Sequence, residues 1–250
     1  MEAARVLAER EFNVVLFEKE SSLGGSLNIA DKPAFKEKLT WLTESMALDL
    51  KRLNVDVRLN TEATAEAVKA LNPVGVFVAC GANPIAPSIP GIDSSKVVKA
   101  EDVLRGKSSF GKNVVVVGSG MTGLETSEFI LDRGSKVTLV EMLDSIGNGV
   151  NSTILYDITA RMKKHEPEIV KSHKLTAVNE KGAVLVNMKT MLSKVVEADT
   201  VVLALGVAPN KKLTAQFEEN FDNVIFIGDA VRGGRIVEAL NDGFSKSFVF

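Results

Sequence analysis

The sequence predicts an α/β fold of two similar domains, with the second domain inserted into the first. An apolar run, Val114–Val117, leads into the glycine-rich turn Gly118–Gly123, and a second apolar run, Val137–Val140, follows after the length of one helix. Earlier in the chain, Val76–Gly81 is an apolar run that ends in small residues, and Val201–Gly206 repeats that pattern. These repeated strands, turns and helices indicate two Rossmann-like domains, each with three layers.

The residues of the glycine-rich turn suit the binding of a dinucleotide. Gly118 permits the tight turn, Gly120 lets the backbone approach a pyrophosphate, and Gly123 lets the helix pack closely on its strand. The helix that begins here offers free amides and the positive end of its dipole to phosphate groups. We therefore predict that the whole turn contacts the cofactor, through Gly118, Ser119, Gly120, Met121, Thr122 and Gly123.

Glu141 ends the second apolar run, about 20 residues after the turn, where the dinucleotide fingerprint places an acid. Its carboxylate can accept hydrogen bonds from a ribose 2′-hydroxyl and would repel a 2′-phosphate. Lys112 and Lys136 are interpreted as solvated charges, and Lys136 could at most soften that repulsion. The pattern therefore predicts NAD rather than NADP.

Composition limits the classes of function. With 250 residues, 45% of them hydrophobic and 25% charged, the chain resembles an ordinary globular enzyme of one large or two modest domains. A net charge of −2 gives no electrostatic reason to bind nucleic acid or an acidic membrane. No apolar run approaches the roughly 18 residues of a membrane span. The opening residues lack the apolar region of a signal peptide, so we expect a cytoplasmic protein.

The cysteine and histidine residues of the sequence do not form the pattern of a metal site. A single cysteine, Cys80, excludes an internal disulfide, an all-cysteine iron–sulfur site and a redox-active cysteine pair within the chain. Cys80 itself is expected to be a small buried packing residue rather than a reactive thiol. His165 and His173 have no partners at ligand spacing and are interpreted as solvated surface residues.

The first block begins with a predicted helix, Glu2–Arg10, and a strand, Asn13–Phe17, which ends at the carboxylate of Glu18. Further helices are predicted over residues 33–53 and 63–70, and strands over residues 55–59 and 74–79. Trp41, within the long helix, is interpreted as a packing residue. Residues 80–91 are rich in proline and suit a connection between domains, because proline restricts the chain and cannot continue a sheet.

The second block contains the glycine turn, an amphipathic stretch at 154–162 and predicted strands at 169–170, 183–188, 195–196 and 200–205. A strand at 224–227 then stops at Gly228-Asp229-Ala230, and a helix follows through 236–240. We assign residues 1–95 and 211–250 to the first domain and residues 96–210 to the inserted domain.

Taken together, these features resemble the two-dinucleotide-binding-domain flavoproteins, the superfamily of pyridine nucleotide-disulfide oxidoreductase-like enzymes. The similarity covers nearly the whole chain. Leu23–Leu27, residues 30–35 and Val140–Leu143 look most like the C-terminal module of the 2,4-dienoyl-CoA reductase, enoate reductase and trimethylamine dehydrogenase family. Members of that family join this module to an FMN-bearing barrel with an iron–sulfur cluster. The resemblance therefore implies such a partner domain in a full-length protein.

The resemblance also implies that the first domain binds FAD and that the inserted domain binds NAD. Glu18 would bond the adenosine ribose of FAD, with Lys19 beside it. Residues near the diphosphate or ribityl chain would be Gly24, Gly25 and Ser26. The superfamily's small-residue turn against FAD corresponds to Ala79, Cys80 and Gly81, with Cys80 at the position where a threonine is usual.

The remaining implied roles lie near the flavin ring and the nicotinamide. Asp229, after Gly228, would contact the ribityl and phosphate region, and the backbone of Ile236 and Val237 would approach the flavin ring. Gly206 would border the NAD pocket, and Glu125 is a weaker candidate for the nicotinamide side. Gly228-Asp229 could also be a simple strand-to-helix turn with the aspartate as a helix cap. Its Ile-Phe-Ile strand and the NAD unit elsewhere in the chain favour the flavin role.

One departure from the superfamily affects the expected FAD site. The superfamily's FAD unit starts with its own strand and glycine turn, whereas Met1–Ala4 resembles the helix that follows such a turn. The missing strand would be central in a doubly wound sheet, and its loss would remove pyrophosphate-binding amides. We therefore expect weak or absent FAD binding, unless a neighbouring segment or strand exchange within a homodimer fills the gap. Residues 245–250 also stop where a helix is expected to continue.

Two functions follow from these features. In the first, NADH gives hydride to FAD, and electrons pass onward to a partner domain. Hydride transfer needs no protein acid, base or nucleophile, so we name no catalytic residue. In the second, the chain is a nucleotide-binding module or inactive fragment that lacks a redox-competent flavin. The single cysteine argues against a third alternative, a disulfide reductase.

Overall fold

The structure, a computed structural model, describes all 250 residues, Met1–Phe250. Its helices are α1 (Glu2–Glu9), α2 (Leu27–Ala30), α3 (Lys38–Arg52), α4 (Ala65–Lys69), α5 (Ala100–Leu104), α6 (Met121–Leu131), α7 (Ser152–Met162), α8 (Lys211–Glu218) and α9 (Ile236–Phe248). Short 3₁₀ turns occupy Lys163–His165 and Gly228–Ala230. No helix combines the length and the apolar character that crossing a membrane would require.

The strands are shorter than the helices. They are β1 (Val15–Phe17), β2 (Asp56–Arg58), β3 (Val76–Val78), β4 (Ala82–Pro84), β5 (Val97–Lys99), β6 (Asn113–Val117), β7 (Lys136–Val140), β8 (Glu168–Val170), β9 (His173–Asn179), β10 (Gly182–Asn187), β11 (Ser193–Glu197), β12 (Thr200–Leu203), β13 (Val207–Pro209) and β14 (Val224–Phe226). The predicted α/β class is confirmed, because parallel strands alternate with helices along the chain.

The chain divides into two compact units. Unit 1 comprises Met1–Asp31, Glu37–Asn83 and Val207–Phe250, and unit 2 comprises Lys32–Lys36 and Pro84–Gly206. The chain thus enters unit 2 from unit 1 and returns to it. The assignment of an FAD domain to residues 1–95 and 211–250, and of an NAD domain to 96–210, stays a prediction.

Unit 2 is built on a five-stranded parallel sheet in the order β5-β12-β6-β7-β8. Successive side chains of a strand point to opposite faces. Val114 and Val116 therefore pack with Leu124 and Ile130 of α6, whereas Val115 and Val117 face a second core. That second core includes side chains of the antiparallel sheet β11-β10-β9. Unit 2 consequently has three layers, and the almost completely buried valines explain the continuous apolar run of β6.

Unit 1 contains parallel strands in two separate pairs, β1 with β2 and β14 with β3. Val78 of β3 and Phe217 of α8 lie in its main apolar cluster. Phe250 packs against Phe12 and Phe77, with ring centroids 5.5 Å and 5.3 Å away. Helix α1 buries Ala3, Ala4, Val6 and Leu7, which is the apolar face that its sequence spacing predicts.

Two local predictions were wrong, and strand β9 was missed. The long helix begins at Lys38 rather than residue 33, because Phe35 adopts a left-handed backbone conformation with φ of 64° that no α-helix contains. Trp41 is not a packing residue, since 63% of it is exposed and Lys38 lies over its ring. Strand β9 was not predicted, because a β-bulge opposite Val184 and Leu185 breaks the alternation of buried residues that identifies a strand.

Candidate functional site: a glycine turn and its carboxylate

The glycine turn joins the carboxyl end of β6 to the start of α6 in unit 2. Gly118 has a φ of 101°, and a Cβ atom at this residue would lie 2.4 Å from the carbonyl oxygen of Ala204. A Cβ atom at Gly123 would lie only 1.9 Å from the Gly118 carbonyl oxygen. Both residues must therefore be glycine for the turn and helix to pack.

Gly120 differs from these two glycines, because a Cβ atom there would meet nothing within 4 Å. The residue is exposed, and so is Thr122, while Met121 is half-buried. Gly120 is the N-cap of α6, and no side chain caps the first amides of that helix. The helix terminus therefore presents uncapped N–H groups and its positive dipole end to open space, as an anionic phosphate requires.

Glu141 follows β7 and reaches back to the turn. Its Oε2 atom accepts hydrogen bonds from the Ser119 amide at 3.0 Å and the Ser119 hydroxyl at 2.6 Å. Its Oε1 atom accepts a bond from the Leu143 amide at 3.0 Å. Only 9% of Glu141 is exposed, so the protein itself holds this carboxylate beside the glycine turn.

Two further predicted residues of unit 2 lie in different surroundings. Gly206 follows β12, is exposed and has a φ of 85°, with open space where a Cβ atom would stand. Glu125, on α6, is buried and forms an ion pair with Lys36. Burial raises the pKa of the Glu125 carboxyl, and the Lys36 ammonium opposes that shift.

The ion pairs that surround Glu125 were not predicted from the sequence. Arg161 of α7 binds Glu128 through two nitrogen atoms, and it also contacts Asp157. These groups and Lys36 line a cavity of about 240 Å³. The spacing of Glu125 and Glu128 by three residues, on one face of a helix, was the signal that could have indicated a shared environment.

In unit 1, the residues predicted to contact the ribose and the diphosphate or ribityl chain of FAD lie between the end of β1 and the start of α2. Glu18 directly follows β1, and its carboxylate accepts a hydrogen bond from the Glu20 amide at 2.9 Å, while the neighbouring Lys19 is exposed. Gly24 has a φ of 116°, a backbone conformation that favours glycine, and a Cβ atom there would also meet the side chains of Asn28 and Thr43. Gly25, in contrast, has open space around it, and Ser26 is exposed as the N-cap residue of α2.

The small-residue turn after β3 comprises Ala79, Cys80 and Gly81. Gly81 has a φ of 70° and open space at its Cβ position, which leaves room for a ligand. The prediction that Cys80 is buried was wrong, because the residue is exposed. Partial desolvation nevertheless raises the pKa of its thiol, which agrees with an unreactive cysteine.

Gly228 and Asp229 form the turn that follows β14. The Gly228 amide donates to the Asp242 carboxylate at 2.7 Å, and Asp229 accepts a hydrogen bond from the Gly234 amide at 3.0 Å. Burial raises the pKa of the Asp229 carboxyl. Helix α9 begins beyond the turn with Ile236, which is half-buried, and Val237, which is exposed.

His165 is an exposed surface residue, as the sequence predicts, whereas His173 is half-buried. His165 lies 3.0 Å from an oxygen of Asp132, and His173 begins strand β9 with its Nδ1 atom 2.6 Å from the carbonyl oxygen of Lys171. Each ring therefore has a polar partner within the protein.

The chain matches a known protein family over most of its length. Residues 1–232 match the family described as "Pyridine nucleotide-disulphide oxidoreductase". The chain belongs to this family. Its members are flavoproteins, and membership implies binding of FAD and NAD(P)H by this chain.

Similar proteins are longer than this chain. An NADH oxidase of Thermoanaerobacter brockii is 35% identical over 253 residues, which are 99% of this chain and 39% of that protein. A cinnamate reductase of Clostridium sporogenes is 33% identical over 246 residues, which are 96% of this chain and 36% of that protein. The chain thus spans about two fifths of the length of these relatives.

A solved structure of a 2-naphthoyl-CoA reductase complex superposes on the whole chain with a TM-score of 0.93 and 28% sequence identity. The superposed part is 38% of the chain in that structure. The predicted resemblance to the FAD/NAD module of enoate-reductase-like proteins is confirmed by these matches.

Proposed function

We propose that this chain is an oxidoreductase module that takes hydride from NADH onto FAD, from which electrons pass to a partner domain of a longer protein. The observation that carries the proposal is the glycine turn of unit 2, in which open space over Gly120 adjoins a carboxylate held by Ser119. A pyrophosphate fits over the uncapped start of α6. A ribose hydroxyl fits beside Glu141, which would repel the 2′-phosphate of NADPH.

The residues of unit 1 also fit the flavin that family membership implies. Gly25 and Gly81 leave open space for a ligand, Glu18 ends a parallel strand as a ribose-binding acid does, and Asp229 lies half-buried in a turn. When bound, FAD supplies the redox chemistry, because its ring accepts a hydride as two electrons and a proton. The protein's task is to bind and orient both cofactors.

Similar proteins support the proposed flow of electrons from NADH to a substrate and the proposed partner domain. Those named above are an NADH oxidase and reductases of cinnamate and of 2-naphthoyl-CoA, and each has a large part that this chain does not cover. A barrel with FMN and an iron–sulfur cluster, joined to this module, would receive the electrons and hold the substrate.

A second function, nucleotide binding without a redox-competent flavin, is favoured by one observation. The parallel strands of unit 1 form two separate pairs, whereas those of unit 2 form one continuous sheet. A Rossmann-like FAD domain normally presents its cofactor at a continuous sheet. The two functions differ in whether NADH bleaches bound flavin.

Glu141→Ala tests the cofactor assignment. We expect the wild-type chain to bind NADH more tightly than NADPH, and we expect the variant to lose about tenfold in NADH affinity, or roughly 1.4 kcal/mol, because a charge-assisted hydrogen bond to the ribose is removed. Binding is measured by fluorescence titration with each nucleotide. Glu180→Ala, which removes an exposed glutamate of the same unit, is the matched control. An unchanged preference for NADH in Glu141→Ala would refute the assignment.

A further inference from the structure

Ser119, the first variable residue of the glycine turn, is a polar residue with only 1% of its surface exposed. Its amide and its hydroxyl both donate to the Oε2 atom of Glu141, at 3.0 Å and 2.6 Å. The Gly147 amide in turn donates to the Ser119 carbonyl oxygen at 3.0 Å and lies 3.3 Å from its hydroxyl oxygen. Ser119 thus joins the turn to the segment that follows β7.

These bonds determine which part of the Glu141 carboxylate remains open. An ionised carboxylate has about four lone-pair directions, two on each oxygen. Ser119 uses both directions of Oε2, and the Leu143 amide uses one direction of Oε1. One acceptor direction remains, on Oε1, which suits a single ribose hydroxyl donor.

The short bond from the hydroxyl also fixes the orientation of the carboxylate before any nucleotide arrives. Hydrogen bonds to a charged group are shorter and stronger than those between neutral groups, and 2.6 Å lies in the range of an O–H···O⁻ bond. A preorganised acceptor loses less freedom on binding than a mobile one. A fixed negative charge also cannot turn away from a 2′-phosphate.

We infer that Ser119 is a positioning residue for cofactor selection, which holds Glu141 so that the carboxylate accepts a ribose hydroxyl of NADH and repels the 2′-phosphate of NADPH. This inference rests on the proposed NADH site. It adds that the turn residue acts through Glu141 rather than through a contact of its own hydroxyl with the cofactor, since that hydroxyl is buried against the carboxylate.

A double-mutant cycle tests the inference. Dissociation constants for NADH and for NADPH are measured by fluorescence titration for the wild type, Ser119→Ala, Glu141→Gln and the double variant. Ser119→Ala should weaken NADH binding by about tenfold, the effect of losing one hydrogen bond to a charged group. It should also strengthen NADPH binding, because the released carboxylate can turn away from the 2′-phosphate. If Ser119 acts through Glu141, the double variant should have the same NADH/NADPH ratio as Glu141→Gln alone.

Ser119→Cys provides a second variant that keeps the volume of the side chain and substitutes a weak donor. We expect it to retain the wild-type melting temperature and to show an intermediate NADH/NADPH ratio. Additive effects of Ser119→Ala and Glu141→Gln on the ratio, or a wild-type ratio in both Ser119 variants, would overturn the inference while leaving the NADH site intact. A wild-type chain without preference for NADH would instead refute the proposed site itself, and the inference with it.

Discussion

At the scale of single residues, the three glycines of the turn serve different purposes. Gly118 and Gly123 are required by internal packing, because added Cβ atoms would lie 2.4 Å and 1.9 Å from carbonyl oxygens. Gly120 has no such neighbour. A glycine that the fold does not need, at the uncapped start of a helix, indicates a position kept clear for a ligand.

This difference predicts opposite effects for two alanine substitutions. Gly123→Ala should lower the free energy of unfolding by about 1–3 kcal/mol, since the helix must move away from Gly118. Gly120→Ala should keep the wild-type melting temperature and should weaken NADH binding about tenfold, because its methyl group occupies the path of the pyrophosphate. Thermal unfolding and NADH titration of both variants check this pair. Equal losses of stability in the two variants would contradict it.

At the scale of elements, Arg161 fastens α7 to α6. Its guanidinium binds both oxygens of Glu128, with Nη2 and Oε2 3.0 Å apart, and only 3% of Glu128 is exposed. Removal of Arg161 would leave a buried carboxylate without its counter-ion, which is far more costly than loss of an exposed ion pair.

Arg161→Met should therefore destabilise the protein by about 3–5 kcal/mol. Adding Glu128→Gln should recover much of that loss, because the buried charge is then absent. Arg133→Met is the matched control, because this arginine is exposed. Its guanidinium contacts the ring and the carbonyl oxygen of Phe129 rather than a carboxylate. Chemical denaturation followed by circular dichroism measures all three. A loss in Arg161→Met no larger than that in Arg133→Met would show that the pair does not hold the helices.

The elements of unit 2 show what sequence patterns can and cannot predict. Strand β6, the glycine turn and β7 were predicted almost to the residue, because buried valines and conformationally restricted glycines leave few alternatives. The helix between the turn and β7 was predicted without bounds, and α6 occupies that position. Strand β9 was missed where a bulge interrupts the alternation. The break before α3 was missed because the left-handed conformation of Phe35 has no signal in its residue type.

The candidate site was predicted less completely than the fold. Glu141 and the glycines follow from spacing along the chain, whereas the bonds of Ser119 to Glu141 join residues 22 positions apart and depend on the folded geometry. The pairing of Lys36 with Glu125 likewise connects distant parts of the sequence. Long-range partners of buried charges cannot be read from one sequence, because local patterns do not specify them.

At the scale of the whole molecule, the chain corresponds to part of longer relatives, since it covers 36–39% of the length of the two curated relatives described above. The family to which it belongs is that of the pyridine nucleotide-disulphide oxidoreductases. The proposed role of this member is accordingly to admit electrons from NADH rather than to bind the final substrate.

The proposed function depends most directly on whether NADH reduces FAD on this protein. Flavin absorbance is followed anaerobically after NADH is mixed with the protein and added FAD, and a mixture of FAD and NADH without protein is the control. We expect the protein to bleach the flavin band much faster than the protein-free mixture does, and we expect Glu141→Ala to diminish this acceleration at low NADH concentration. Flavin that bleaches no faster with the protein than without it, under conditions in which NADH binds, would contradict hydride transfer and leave a nucleotide-binding module.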